Sequence, residues 1–95
     1  MARLEDLLTF KEGDPDVDRM RGALRETMAN VRWEIMAQQA ELAFWEHAAE
    51  HGQTEAVRTD GRERALVTRS TVDSLVAKYS AFEAMLGALP AEGVD

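Results

Sequence analysis

The chain has no cysteine, which excludes a disulfide framework and any thiolate metal site. The stapled design common among small secreted domains is excluded with it. Its six glycines are scattered singly, so no glycine-rich loop is present to cradle a phosphate. Apolar runs are a few residues long, far short of the roughly 20 that a membrane-spanning helix needs. The opening MARLEDLLTFKEGD places acids where a secretion signal needs a basic start and an unbroken apolar stretch. The expected location is therefore cytoplasmic or within a virion, with no membrane partner. Positive charge is scarce as well: 11 Lys and Arg stand against 18 Asp and Glu, a net charge of −7. A field of that sign repels nucleic acid at long range and favours basic partners, so direct nucleic-acid binding is not expected.

What is present fits one small folded domain. Ninety-five residues, 45% of them apolar, are too hydrophobic for intrinsic disorder but build only a thin core. Chains of this size often gain stability from a second copy or a partner. The pattern predicts a mainly α protein, a long antiparallel helical hairpin with a short N-terminal helix. Leu4, Leu7 and Leu8 place that short helix over residues 2–10. Asp14-Pro15-Asp16 then reads as a helix start, with Asp14 as N-cap and Pro15 at the first helical position. From there Val17, Arg21, Leu24, Met28, Val31, Ile35, Gln38, Leu42, Trp45 and Ala49 recur at alternating spacings of four and three. This is a coiled-coil-like seam, and it predicts a helix over 14–51 that Gly52 closes.

Residues 29–48 also carry Trp33, Met36, Ala37, Ala40, Phe44 and Ala48. Trp33 lies two residues from Ile35, about 160° around a helix of 3.6 residues per turn. This part of the helix is therefore apolar on two opposite sides, the pattern of a helix sandwiched between neighbours. A C-terminal helix over 70–88 follows from the capping pattern Ser70-Thr71-Val72-Asp73 and the stripe Val72, Leu75, Val76, Tyr79, Phe82, Leu86. The connector, 52–69, is ambiguous. Asp60-Gly61 with Val57, Thr59, Val67 and Thr68 nearby favours a small β-hairpin at 55–67. The competing reading starts a helix at Asp60, with Glu63 as its capping partner.

One motif has a catalytic look. His47-Ala48-Ala49-Glu50-His51 reads H-x-x-E-H, the inverted zinc-peptidase signature. Two histidines one helical turn apart can share a metal, but a catalytic zinc needs a third protein ligand and a cleft. The residues that follow are needed to build the hairpin, and both histidines are explained by the preference of positive charge for a helix C-terminus. No Glu-x-x-His pair of the di-iron type occurs, and Ser70, Ser74 and Ser80 lie in no nucleophile elbow. The expectation is a protein with neither cofactor nor catalytic activity. Arg58, Arg62, Arg64 and Arg69, against Asp60 and Glu63, form a local excess of positive charge. They read as a solvated face, or as a contact for an acidic protein surface or a phosphate backbone.

Around Val57, Asp60-Gly61-Arg62 and Thr71-Val72 through Leu75 to Tyr79, the last 45 or so residues resemble the small head–tail joining proteins of tailed phages. The resemblance implies a helix, a short hairpin turning at Asp60-Gly61, a capped second helix, and assembly as a ring beneath the portal. The chain departs from that pattern in about two extra residues between turn and second helix, a much longer first helix and an added N-terminal segment. The sequence thus predicts a structural protein that oligomerises or docks into a larger assembly through residues 29–48. The alternative is a small acidic regulator that occupies a basic, nucleic-acid-binding protein surface.

Overall fold

The computed structural model describes residues 15–90. Two helices account for nearly all of them: α1, Pro15–His51, and α2, Glu55–Ala88. They pack against each other along their length as a hairpin, and no strand occurs among the described residues. The short helix expected over 2–10 and the capping role of Asp14 lie outside the described residues.

The α1 seam is the one its spacing dictates. Val17, Arg21, Leu24, Met28 and Val31 are buried, and Ile35, Gln38, Leu42, Trp45 and Ala49 are half-buried. The answering seam on α2 runs Gly61, Ala65, Thr68, Val72, Leu75, Tyr79, Phe82 and Leu86, at spacings of four and three, and ends on Leu89, the C-cap just past the helix. Matching repeats keep two helices in register over many turns. Val76, expected on this stripe, is instead 46% exposed. The best-buried cluster sits at the open end, where Val17, Leu24 and Leu89 pack with Met20, Phe82, Met85 and Leu86. Arg21 fastens the same end. Its guanidinium donates to Asp18 Oδ1 at 2.9 Å and to the backbone carbonyl of Pro90, joining the start of α1 to the exit of α2.

The connector differs most from expectation. The segment 55–67 forms neither a β-hairpin nor a helix beginning at Asp60, and no second helix begins at Ser70. Helix α2 starts at Glu55, because Thr54 is an N-cap in extended conformation (φ −123°, ψ 158°) whose hydroxyl accepts from Val57 N at 3.1 Å. The capping pattern at Ser70-Thr71 is overridden inside the helix, where Thr71 Oγ1 donates back to Val67 O at 3.1 Å. Only Gly52, Gln53 and Thr54 join the helices, a loop short enough to force them antiparallel.

Gly61 is therefore not a turn glycine but a contact glycine. A Cβ there would lie 2.6 Å from Ala49 N and 2.9 Å from Trp45 O, both backbone atoms of α1. Gly52 makes the turn in a similar way. It donates to Ala48 O at 2.9 Å, and a Cβ would meet that oxygen at 2.6 Å and Val57 Cγ1 at 2.7 Å. Gly22 is the opposite case, since a Cβ there meets nothing within 4 Å. Gly22→Ala should raise stability by about 0.5–1 kcal/mol through helix propensity alone. Thermal unfolding should show a midpoint higher by roughly 4 °C, and a lower midpoint would mean that α1 depends on a bend at this position.

Candidate protein-interaction face

The four arginines of the former connector lie on the first four turns of α2, and each makes an intramolecular contact. Arg58 donates to Glu55 at 3.0 Å and to the carbonyl of Gly52 at 2.7 Å, capping the exit of α1. Arg62 reaches the same carboxylate at 3.3 Å and Thr59 at 3.1 Å. Arg64 pairs with Asp60 at 3.0 Å, and its guanidinium stacks 4.8 Å over the Trp45 ring. Arg69 crosses to α1 and meets Glu46 at 3.5 Å. Each of the four guanidinium groups thus has a partner within the fold, while Arg62, Arg64 and Arg69 remain exposed on its surface.

The Glu55 carboxyl is held below its ordinary value, foremost by the hydrogen bond from Arg58, then by that cation's attraction and by Arg62. A carboxylate with a lowered folded-state pKa stabilises the fold above its unfolded-state value, and that contribution disappears as pH falls through the folded value. Glu55→Gln should therefore lower the urea midpoint modestly at neutral pH. The two proteins should converge in acid below the ordinary glutamate range. Parallel pH profiles would show that the ion pairs at the start of α2 contribute nothing, as exposed pairs often do.

His47 and His51 are both exposed, with ring centroids 4.8 Å apart. Among the described residues no group of three or more His, Cys, Asp or Glu side chains could hold a metal ion. No helix among them is long and apolar enough to cross a membrane.

The outer face of α1 is the distinctive feature. Trp33 is 69% exposed, Phe44 62% and Met36 50%, and Ala37 and Ala40 are exposed between them. Ala48, expected on the same face, is half-buried, with its backbone against Gly61, and so belongs to the helix–helix contact. The reason for the exposure is geometric. Trp33, Ala37, Ala40 and Phe44 each follow a seam residue by two positions, which on a helix points them about 160° away from α2, and Met36, one position after Ile35, lies on the flank of that face. Trp33 and Met36 also border a groove between the helices that reaches Met28 on α1 and Tyr79 and Leu86 on α2. Phe44 packs edge-on against Trp45, with centroids 4.8 Å apart, so one ring anchors the other at the boundary between inner and outer faces. The outer side of α2 differs in kind: Val57, Leu66, Val67 and Val76 are exposed there, but no aromatic ring or Met is among them.

Sequence reasoning found this outer face but missed the answering seam at Gly61, Ala65 and Thr68. The signal was their four–three spacing into Val72, obscured because small residues do not register as a hydrophobic stripe. Comparison with protein-family models, with curated proteins and with solved structures finds no match to the chain.

Proposed function

We propose that this chain is a non-enzymatic structural or assembly protein that oligomerises, or docks into a larger complex, through the outer face of α1. The observation that carries this reading is the exposure of Trp33, Phe44 and Met36 on one helix face. Soluble monomers seldom leave such large side chains clustered in water. Aromatic residues and Met are also the types enriched at protein interfaces, and Trp is prominent among their hot spots. The two helices bury their seams against each other, and the outer rings, which touch that packing only at its margin, keep most of their surface free for another protein.

A phage head–tail connector is the most concrete setting that the sequence suggests. The resemblance rests partly on a hairpin at Asp60-Gly61, and those residues lie inside α2. The proposal therefore stands on the outer face of α1 and not on that family. Cytoplasmic or virion location is part of the same proposal.

The test is the mass in solution of the full chain and of the Trp33→Ala/Phe44→Ala variant. Assembly that persists in high salt and is lost in the variant supports an apolar interface. An acidic regulator would behave differently: its affinity for a basic partner would fall steeply as salt screens its carboxylates, and the double variant would bind normally.

A further inference from the structure

The outer strip is patterned as well as apolar. Every seam residue of α1 from Leu24 to Ala49 is followed two positions later by an exposed residue. The outer face thus repeats the four–three spacing of the inner one. Its centre reads Trp33, Ala37, Ala40, Phe44: large, small, small, large. That order is unchanged in character when the helix is turned end for end about a point between Gln38 and Gln39.

We propose that the partner of this strip is the same strip of a second copy, antiparallel, about a twofold axis passing between residues 38 and 39. This inference rests on the assembly reading above and specifies its partner and register. In this register Trp33 faces Phe44 of the second copy, and Ala37 faces Ala40. Two alanine layers bring the backbones close, and a heterotypic aromatic pair closes each end. The polar residues beyond fall into complementary pairs. Asn30 faces His47, and Glu26 faces His51, whose imidazole N–H can donate to the carboxylate. A parallel pairing would set Glu26 against Glu26, a like-charge contact, and leave the histidines facing each other. Glu34 and Glu41 lie on one rim of the antiparallel pair, exposed to solvent, where screening makes their repulsion small.

Because the chain has no native cysteine, disulfide mapping gives an unambiguous test. Asn30→Cys and His47→Cys variants of the full chain would be oxidised separately and as a mixture. In the proposed register residues 30 and 47 of two copies meet, whereas 30 and 30 lie roughly 26 Å apart along the axis, far beyond disulfide reach. The mixture should give a mixed disulfide in at least about tenfold greater yield than either variant alone. Three results would overturn the proposal. Efficient disulfides from each variant alone would mean parallel pairing. A dimeric mass with no disulfide in any combination would mean another register or surface; either of these leaves the assembly reading intact. A parent chain that is monomeric, but dimerises when residues 1–13 are removed, would make the N-terminal segment the occupant of the strip.

Discussion

Gly61→Ala is expected to be the most damaging single-methyl change in the chain. The added carbon would sit 2.6 Å from Ala49 N and 2.9 Å from Trp45 O, below any tolerated contact. Both are backbone atoms, so no side chain can swing aside, and the clash is relieved only by moving α2 away from α1. That movement would unpack Ala65 and Thr68, the next buried residues of the seam. Overpacking of this kind costs about 1–3 kcal/mol and sometimes more. The helix-propensity gain of roughly 1 kcal/mol for Gly→Ala offsets part of it. A net loss reaching about 2 kcal/mol is a large share of the 5–15 kcal/mol that holds a typical domain together. Urea titration followed by circular dichroism should show a much lower midpoint for Gly61→Ala and a slightly higher one for Gly22→Ala. A neutral or stabilising Gly61→Ala would mean that the helices are not in close contact at Trp45 and Ala49.

The second large effect concerns association and leaves the fold nearly untouched. Trp33→Ala with Phe44→Ala removes two exposed rings from the centre of the proposed interface. Hot-spot truncations cost about 2 kcal/mol or more each, so the pair should weaken self-association by roughly a thousandfold. Neither ring lies on the α1–α2 seam, and surface substitutions away from packed features change stability by only about 0.5 kcal/mol. Loss of the Phe44–Trp45 edge contact adds a small increment. The variant should therefore remain helical, with a monomer unfolding transition only slightly lowered at high dilution. A variant that loses helicity would mean that Trp33 or Phe44 supports the hairpin itself, and the outer face would no longer be available as an interface.

Most of α1 was legible from its sequence because one physical requirement dominated it. Large apolar residues from Val17 to Trp45 had to share a side, and only the helical period allows that. Trp33, Ala37, Ala40 and Phe44 were legible for the same reason, since two positions from a seam residue is the far side of a helix. The segment 55–69 was not legible, because its local preferences point elsewhere. Asp60-Gly61 is the strongest short hairpin signal, and Val57, Thr59, Val67 and Thr68 favour strands. Here tertiary contact outweighed local preference. The narrow place beside Trp45 and Ala49 admits only small residues, and Gly61, Ala65 and Thr68 supply them at seam spacing. Thr54 was the local clue: a hydroxyl three residues before Val57, followed by the acid Glu55, marks a helix start.

The arginines show the same difficulty in the reverse direction. In sequence, Arg58, Arg62, Arg64 and Arg69 read as a solvated face, or as a contact for an acidic surface or a phosphate backbone. In the fold they cap α1, pair with Glu55 and Asp60, and bridge to Glu46. Their partners could not be identified before 55–69 was known to be helical, because only a helix places Glu55 beside Arg58 and Asp60 beside Arg64.

The central claim is that the outer face of α1 is an interface, and the mass of the full chain in solution tests it most directly. Light scattering after size exclusion, over a roughly hundredfold range of concentration, reads that mass against the 10.6 kDa of one copy. The expected result is a concentration-dependent rise to twice that mass that high salt does not abolish. A constant 10.6 kDa at every concentration would contradict self-association through this face.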